Sequence, residues 1–173
     1  MHYFSQAINR TLMQIKIFTT GGTIDKIYFD AKSQYEVGMS CIDTILREGG
    51  VSFPYEIESL LRKDSLDITE EDRAFIKSRV ATDPTDKILI THGTDTMVET
   101  ARVLSTIPHK TIVLTGSLSP ATFKVSDAPF NVGCALGALQ TLPPGTYIAI
   151  NGKIFNPFNV RKNRELNQFE PVS

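Results

Sequence analysis

Short apolar runs recur along the chain, and each stops abruptly at a cluster of Thr, Ser, Gly and Asp. They are residues 15–19 (IKIFT), 56–60 (EIESL), 87–91 (KILIT), 111–115 (TIVLT) and 147–150 (YIAI). The last three are short and almost continuously apolar, the pattern of strands covered on both faces. Between the runs the spacing of apolar positions turns helical. Residues 41–48 carry Ile42, Ile45 and Leu46 on one face and close at Gly49-Gly50, an ordinary helix stop. Thr69 predicts the start of a second helix, with Asp72 three residues on as a weak capping box. Its apolar positions Ala74, Phe75 and Val80 are sparse, so its outer face is expected to be wet. Residues 95–107 place Val98, Ala101, Val103 and Leu104 in helical register and end before Pro108. Residues 129–139 are rich in small side chains, which suits close packing on a sheet or on another subunit.

Strands alternating with helices imply right-handed crossovers and an α/β fold: a doubly wound, mostly parallel sheet with helices on both faces. In such a sheet ligands bind beyond the carboxyl ends of the strands. The polar clusters TTGGTID, RKDSLD, THGTDT and TGSLSPAT all fall there. One such loop would mean little; four converging on one edge predict a site. Residues 30–38 read as the most polar long loop, and the tail after Asn159 has no clear periodicity.

Composition narrows the function. A chain of 173 residues with 41% hydrophobic and 21% charged side chains fits one globular domain with a real core. Eighteen basic and nineteen acidic side chains leave a net charge of -1, which supplies no electrostatic footprint for nucleic acid and no basic run for a membrane surface. Cys41 and Cys134 fit no metal-ligand spacing and read as reduced, buried, small apolar residues. Residues 1–13 read as a loose extension ahead of a single domain at 14–173, with Met13 an alternative start. The extension lacks the basic start and apolar core of a secretory signal, so the expected compartment is the cytoplasm.

The loops hold the candidate chemistry. Gly21 and Gly22 allow backbone angles closed to other residues and let a ligand approach. Thr23, just beyond, is placed as a nucleophile or as part of a plain strand-to-helix turn. Thr94 and Asp95 stand at a helix start, where free N–H groups bind an anion or an oxyanion, although Thr or Asp there is also ordinary capping. His92 reads as a packing residue rather than a base. On the second loop Ser65 suits a ligand carboxylate or a turn, and Asp67 a ligand contact or a helix cap. Ser117 and the Gly116 backbone border the fourth loop. Lys162 in NVRKNR has no role that position alone assigns.

FTTGGTID and ILITHGTDTMVETA together strongly resemble the paired signatures of the bacterial-type L-asparaginase and glutaminase family. KDSLDIT, LTGSLSPATFKVSDAPFNV and YIAINGKIFNPFNVRK continue the likeness in order, over residues 15–162. The resemblance implies a Rossmann- or flavodoxin-like catalytic domain that hydrolyses L-asparagine to L-aspartate and ammonia. It implies Thr23 as nucleophile on the side-chain amide, and Thr94, Asp95 and Lys162 as a second catalytic cluster. It further implies Ser65 at the substrate carboxylate, Asp95 at the ammonium, Ser117 near the amide, and Gly22, Asp67 and Gly93 as substrate-binding neighbours. A tyrosine after TGGTI closes over the nucleophile in this family; Tyr28 and Tyr35 both qualify, and Tyr28 is preferred as the nearer in sequence. No metal or organic cofactor is implied.

Family members are about twice this length and carry a second, smaller domain that this sequence lacks. A short-chain, single-domain form is therefore expected, covering its exposed edges as a homodimer or homotetramer. Rival readings are a glutaminase-type amidase and a non-catalytic amino-acid sensor on the same fold. An amidotransferase acting on tRNA is disfavoured by the neutral charge, and a phosphate binder by the absent phosphate-loop residues.

Overall fold

Why the apolar runs are so uniformly apolar is explained by the sheet they build. The computed structural model describes residues 13–29 and 34–172. Strand β1 (Ile15–Gly21) is buried at every position, because β4 (Tyr55–Lys63) and β5 (Lys87–Thr91) pair with it in parallel on either side. Strands β6 (Thr111–Thr115) and β7 (Gly145–Ile150) continue the parallel sheet, and β8 (Lys153–Phe155) closes it antiparallel. The order is β4-β1-β5-β6-β7-β8. The chain thus runs outward from β1 in both directions, and the reversal between β1 and β5 is the topological switch point at which such folds bind ligands.

Alternation along each strand divides the core into two layers. Ile15, Ile17, Leu89, Val113 and Ala149 face α1 (Ile42–Glu48) and α4 (Ala128–Thr141). Phe18, Ile88, Ile90, Ile112, Leu114, Ile148 and Ile150 face α2 (Glu70–Thr82) and α3 (Met97–Leu104). The doubly wound expectation holds.

Several local expectations are corrected. Thr69 and Asp72 do form a reciprocal capping box, but the buried face of α2 is Arg73, Ile76 and Val80. Phe75 is 45% exposed and Ala74 exposed as well; Arg73 lays its stem inward instead. Helix α3 begins at Met97 rather than Asp95, because the Asp95 N–H and the Thr96 hydroxyl are drawn to Ser65 on the loop after β4. In α4 the small residues divide: Ala135 and Ala138 are buried, whereas Gly133 and Gly137 have no neighbour within 4 Å of where a Cβ would stand. Cys41 and Cys134 are free thiols, as read, yet only half-buried.

Two hairpins have no counterpart in the sequence reading. Strand β2 (Lys26–Phe29) pairs antiparallel with β3 (Gln34–Val37), so most of the described part of the polar 30–38 stretch is strand. Strand β9 (Val160–Asn163) pairs with β10 (Gln168–Pro171), giving the tail regular structure. Val160 and Phe169 carry it into the core. Residues 1–12, most of the expected loose extension, lie outside the described residues.

Candidate active site

Glycines bring the loops together. Gly22, at the end of β1, has φ +90° and its N–H donates to the Lys63 carbonyl at 2.9 Å. A Cβ on Gly22 would stand 2.3 Å from Gly93 Cα, and one on Gly93 would stand 2.6 Å from Ser65 Cβ. A Cβ on Gly116 would stand 2.2 Å from the His92 carbonyl oxygen. The four loops are therefore in backbone contact, which only residues without side chains permit. Thr20 Oγ1 adds a hydrogen bond to the Thr91 carbonyl, 2.9 Å, tying the ends of β1 and β5.

Thr23 opens the 3₁₀ turn Thr23–Asp25 and is half-buried. Among the described residues its hydroxyl has no side-chain hydrogen-bond partner. Thr94 is buried at the neighbouring loop. The Lys162 ammonium, on β9, donates to Thr94 Oγ1 at 2.7 Å and to Asp95 Oδ1 at 2.7 Å. Its side chain is 9% exposed, and Arg164 Nε stands 4.0 Å from the same carboxylate oxygen. Such charge-assisted bonds, shielded from water, fix the ammonium beside the Thr94 hydroxyl.

Ser65 is buried in the 3₁₀ turn Ser65–Asp67, capped by Asp64. Its Oγ accepts from the Asp95 N–H at 3.2 Å, and its carbonyl accepts from the Thr96 hydroxyl at 2.6 Å. Asp67 differs from the other candidates: its side chain is exposed and, among the described residues, makes no hydrogen bond. The cap it was considered for belongs to Thr69. His92 is fully enclosed, and burial pushes its imidazole down to about 4. Nδ1 lies 2.7 Å from the Gly93 carbonyl and Nε2 2.9 Å from Thr100 Oγ1. A carbonyl only accepts, so Nδ1 carries the proton and Nε2 accepts from Thr100. Both nitrogens are occupied, and His92 is a packing residue, as expected.

Ser117 is buried and donates to the Ser119 carbonyl. Its loop is held by two residues that sequence reasoning did not single out. The Asp127 carboxylate accepts from the Leu118 and Ser119 N–H groups at 2.9 and 3.0 Å. Asn131 donates to the Gly116 carbonyl at 3.0 Å and accepts from the Asn151 N–H at 2.9 Å. The available signal was Asp-Ala-Pro, which reads as a helix start; the Asp127 side chain turns to the loop instead of capping. Tyr28 and Tyr35 are cross-strand partners on the β2–β3 hairpin, with ring centroids 5.3 Å apart, and Phe123 extends the cluster. Distance along the sequence therefore does not separate the two tyrosines. Among the described residues no group of three or more His, Cys, Asp and Glu could hold a metal ion.

Hydroxyls, a carboxylate and an ammonium gathered at the switch point of a parallel sheet define an α/β protein with a site for a small polar molecule. The family described as "Asparaginase, N-terminal" matches residues 14–170, and the chain belongs to the asparaginase family. It is 37% identical over 175 residues to the L-asparaginase of Thermococcus kodakarensis, covering 93% of this chain and 52% of that protein. The solved structure of that thermostable enzyme superposes with a TM-score of 0.79 at 34% identity, over 92% of this chain and 51% of the other. L-asparaginase I from Vibrio cholerae superposes at 0.80 with 26% identity and the same coverage. A glutaminase-asparaginase of Acinetobacter glutaminasificans is 31% identical over 121 residues, covering 67% of this chain and 35% of that protein. The chain spans about half the length of the first relatives it matches.

Proposed function

We propose that this chain hydrolyses the side-chain amide of L-asparagine to L-aspartate and ammonia, with Thr23 as nucleophile. The observation that carries the reading is the Lys162–Thr94–Asp95 cluster, 2.7 Å on each arm, on a loop in backbone contact with the Thr23 turn. The Thr23 oxygen attacks the amide carbon, and its proton leaves by way of the tyrosine-bearing hairpin. The tetrahedral intermediate collapses, the C–N bond breaks, and nitrogen departs as ammonia with that proton. Water then cleaves the aspartyl ester, its proton passing through Thr94 and Lys162 to the threonine oxygen. Ser65 and the adjoining backbone receive the substrate carboxylate, Asp95 its ammonium, and Ser117 borders the amide with Gly22 and Gly93. No cofactor enters the scheme.

Glutamine is the second reading, favoured by the relative named for both activities. Ammonia release from L-asparagine and L-glutamine, measured side by side, is expected to be fast for asparagine. Equal rates would overturn the preference for asparagine alone. Binding of asparagine without release would replace catalysis by an amino-acid sensor.

We also propose a cytoplasmic homo-oligomer. Support comes from two free thiols, suited to a reducing compartment, and from exposed Phe130, Phe158 and Val125. Among the described residues no helix is long and apolar enough to cross a membrane. Sedimentation at micromolar concentration is expected to show a dimer or tetramer; monomer alone would reject the assembly.

A further inference from the structure

Asp25 ends the 3₁₀ turn that Thr23 begins, and the reaction scheme assigns it nothing. It is 1% exposed. Its N–H donates to the Gly22 carbonyl at 3.1 Å, and its own carbonyl accepts from the Gly38 N–H at 2.8 Å. Oδ1 accepts from the Ser40 hydroxyl at 3.0 Å and from the Cys41 N–H at 2.9 Å. The β2–β3 hairpin starts at the next residue and returns to Gly38, so the Asp25 backbone joins its two feet and the Asp25 side chain ties the returning chain, at Ser40 and Cys41, to the same turn. That hairpin forms a sheet of its own, separate from the six-stranded one. Its placement relative to Thr23 is set by its feet together with the Phe123 ring against Tyr35.

We propose that Asp25 is a positioning residue whose carboxylate fastens the hairpin to the Thr23 turn and so sets where Tyr28 stands relative to the nucleophile. The inference rests on the amidohydrolase reading for its consequence, though not for its geometry.

Burial pushes the Asp25 carboxyl up to about 6, against the lowering effect of the Cys41 N–H and the Ser40 hydroxyl. The titratable group facing it from the start of α1 is the Cys41 thiol, itself raised by burial and by the Asp25 charge. The adjacent Lys26 ammonium is turned to Asp64 at 2.7 Å, and among the described residues no cation pairs with Asp25. A carboxyl released into water titrates near its ordinary value, so the fastened state holds its proton more tightly than the released one. Fastening is thus firmest below the ordinary carboxyl value and is lost progressively as pH rises from there through about 6, while the buried charge accumulates.

The test compares wild type, Asp25→Asn and Asp25→Ala by amide hydrogen exchange at Gly38 and Cys41, corrected for intrinsic rates, at pH 5 and pH 8. Ammonia release is followed in parallel. Wild type is expected to lose about tenfold protection at these two amides at the higher pH. Asp25→Asn, which keeps the acceptor without the charge, is expected to stay protected at both. Asp25→Ala is expected to be unprotected at both, with kcat reduced about tenfold or more, KM little changed, and kcat recovered in Asp25→Asn. Wild-type protection and kcat in Asp25→Ala overturn the proposal, and where Asp25→Ala does not fold, loss of protection and of kcat in the acceptor-keeping Asp25→Asn at both pH values overturns it. Absent turnover in wild type would sink the reaction scheme and leave the exchange result standing.

Discussion

Thr23→Ala is expected to reduce ammonia release from L-asparagine on the order of 10⁴-fold or more, while the protein stays folded and still binds the substrate. Removing a covalent nucleophile eliminates the route itself, so the loss exceeds that for any supporting group. The fold should barely notice. The Thr23 hydroxyl has no side-chain hydrogen-bond partner among the described residues, and the turn is held through its neighbours: Asp25 N–H to Gly22, and Ala121 N–H to the Ile24 carbonyl at 3.1 Å. Stability is expected to change by about 0.5 kcal/mol or less. Thr23→Ser restores an oxygen at the same place and should recover part of the rate. Wild-type rates in Thr23→Ala would reject the nucleophile and move attention to Thr94, whose hydroxyl is the one touching Lys162.

The second large effect is structural. Gly22→Ala is expected to destabilise the chain by more than about 4 kcal/mol, enough to endanger a typical domain. Two causes add. The residue adopts φ +90°, which side chains rarely accept, and the new Cβ would lie 2.3 Å from Gly93 Cα and 2.4 Å from Gly93 N. Those are backbone atoms, so no rotamer change relieves the overlap; the β1 and β5 loops would have to separate. Gly133→Ala is the matched control. It lies in α4 with nothing within 4 Å of its Cβ position, and helix propensity alone predicts a gain of about 0.5–1 kcal/mol. Denaturant unfolding of the two variants checks both signs. A Gly22→Ala protein as stable as wild type would show that the loops are not interlocked as described.

The contrast between these two glycines matters for function. At Gly22 the missing side chain allows two loop backbones to touch, so Thr23 and the Thr94–Asp95 loop become neighbours. In α4 the outward glycines leave a smooth, open surface instead, and the buried alanines do the packing against the sheet. Small residues in one helix were readable as close packing, but which of them faced the sheet was a matter of rotation that composition does not carry.

Local pattern alone determined the five parallel strands, the four helices and the set of loops where chemistry would lie. Burial on two faces demands continuous apolar residues, as in KILIT and TIVLT, and a ligand loop after a strand demands Gly and hydroxyls, as in TTGGT and THGT. Those are constraints between residues adjacent in the chain, so they are written there. The tertiary structure decided the rest, because it sets distances between residues far apart in sequence. Lys162 lies 67 residues from Asp95 in sequence, on a hairpin whose strands are too short and too polar to announce themselves. Core contacts of Val160 and Phe169 bring its ammonium to the carboxylate. Asp127 stands at a helix start, yet its carboxylate holds the Ser117 loop; Asp25 reads as part of a turn, yet its carboxylate ties that turn to Ser40 and Cys41 beyond the tyrosine hairpin. In each case the side chain's partner is chosen by which backbone groups the fold leaves unpaired nearby, a choice made only once the sheet and helices have packed.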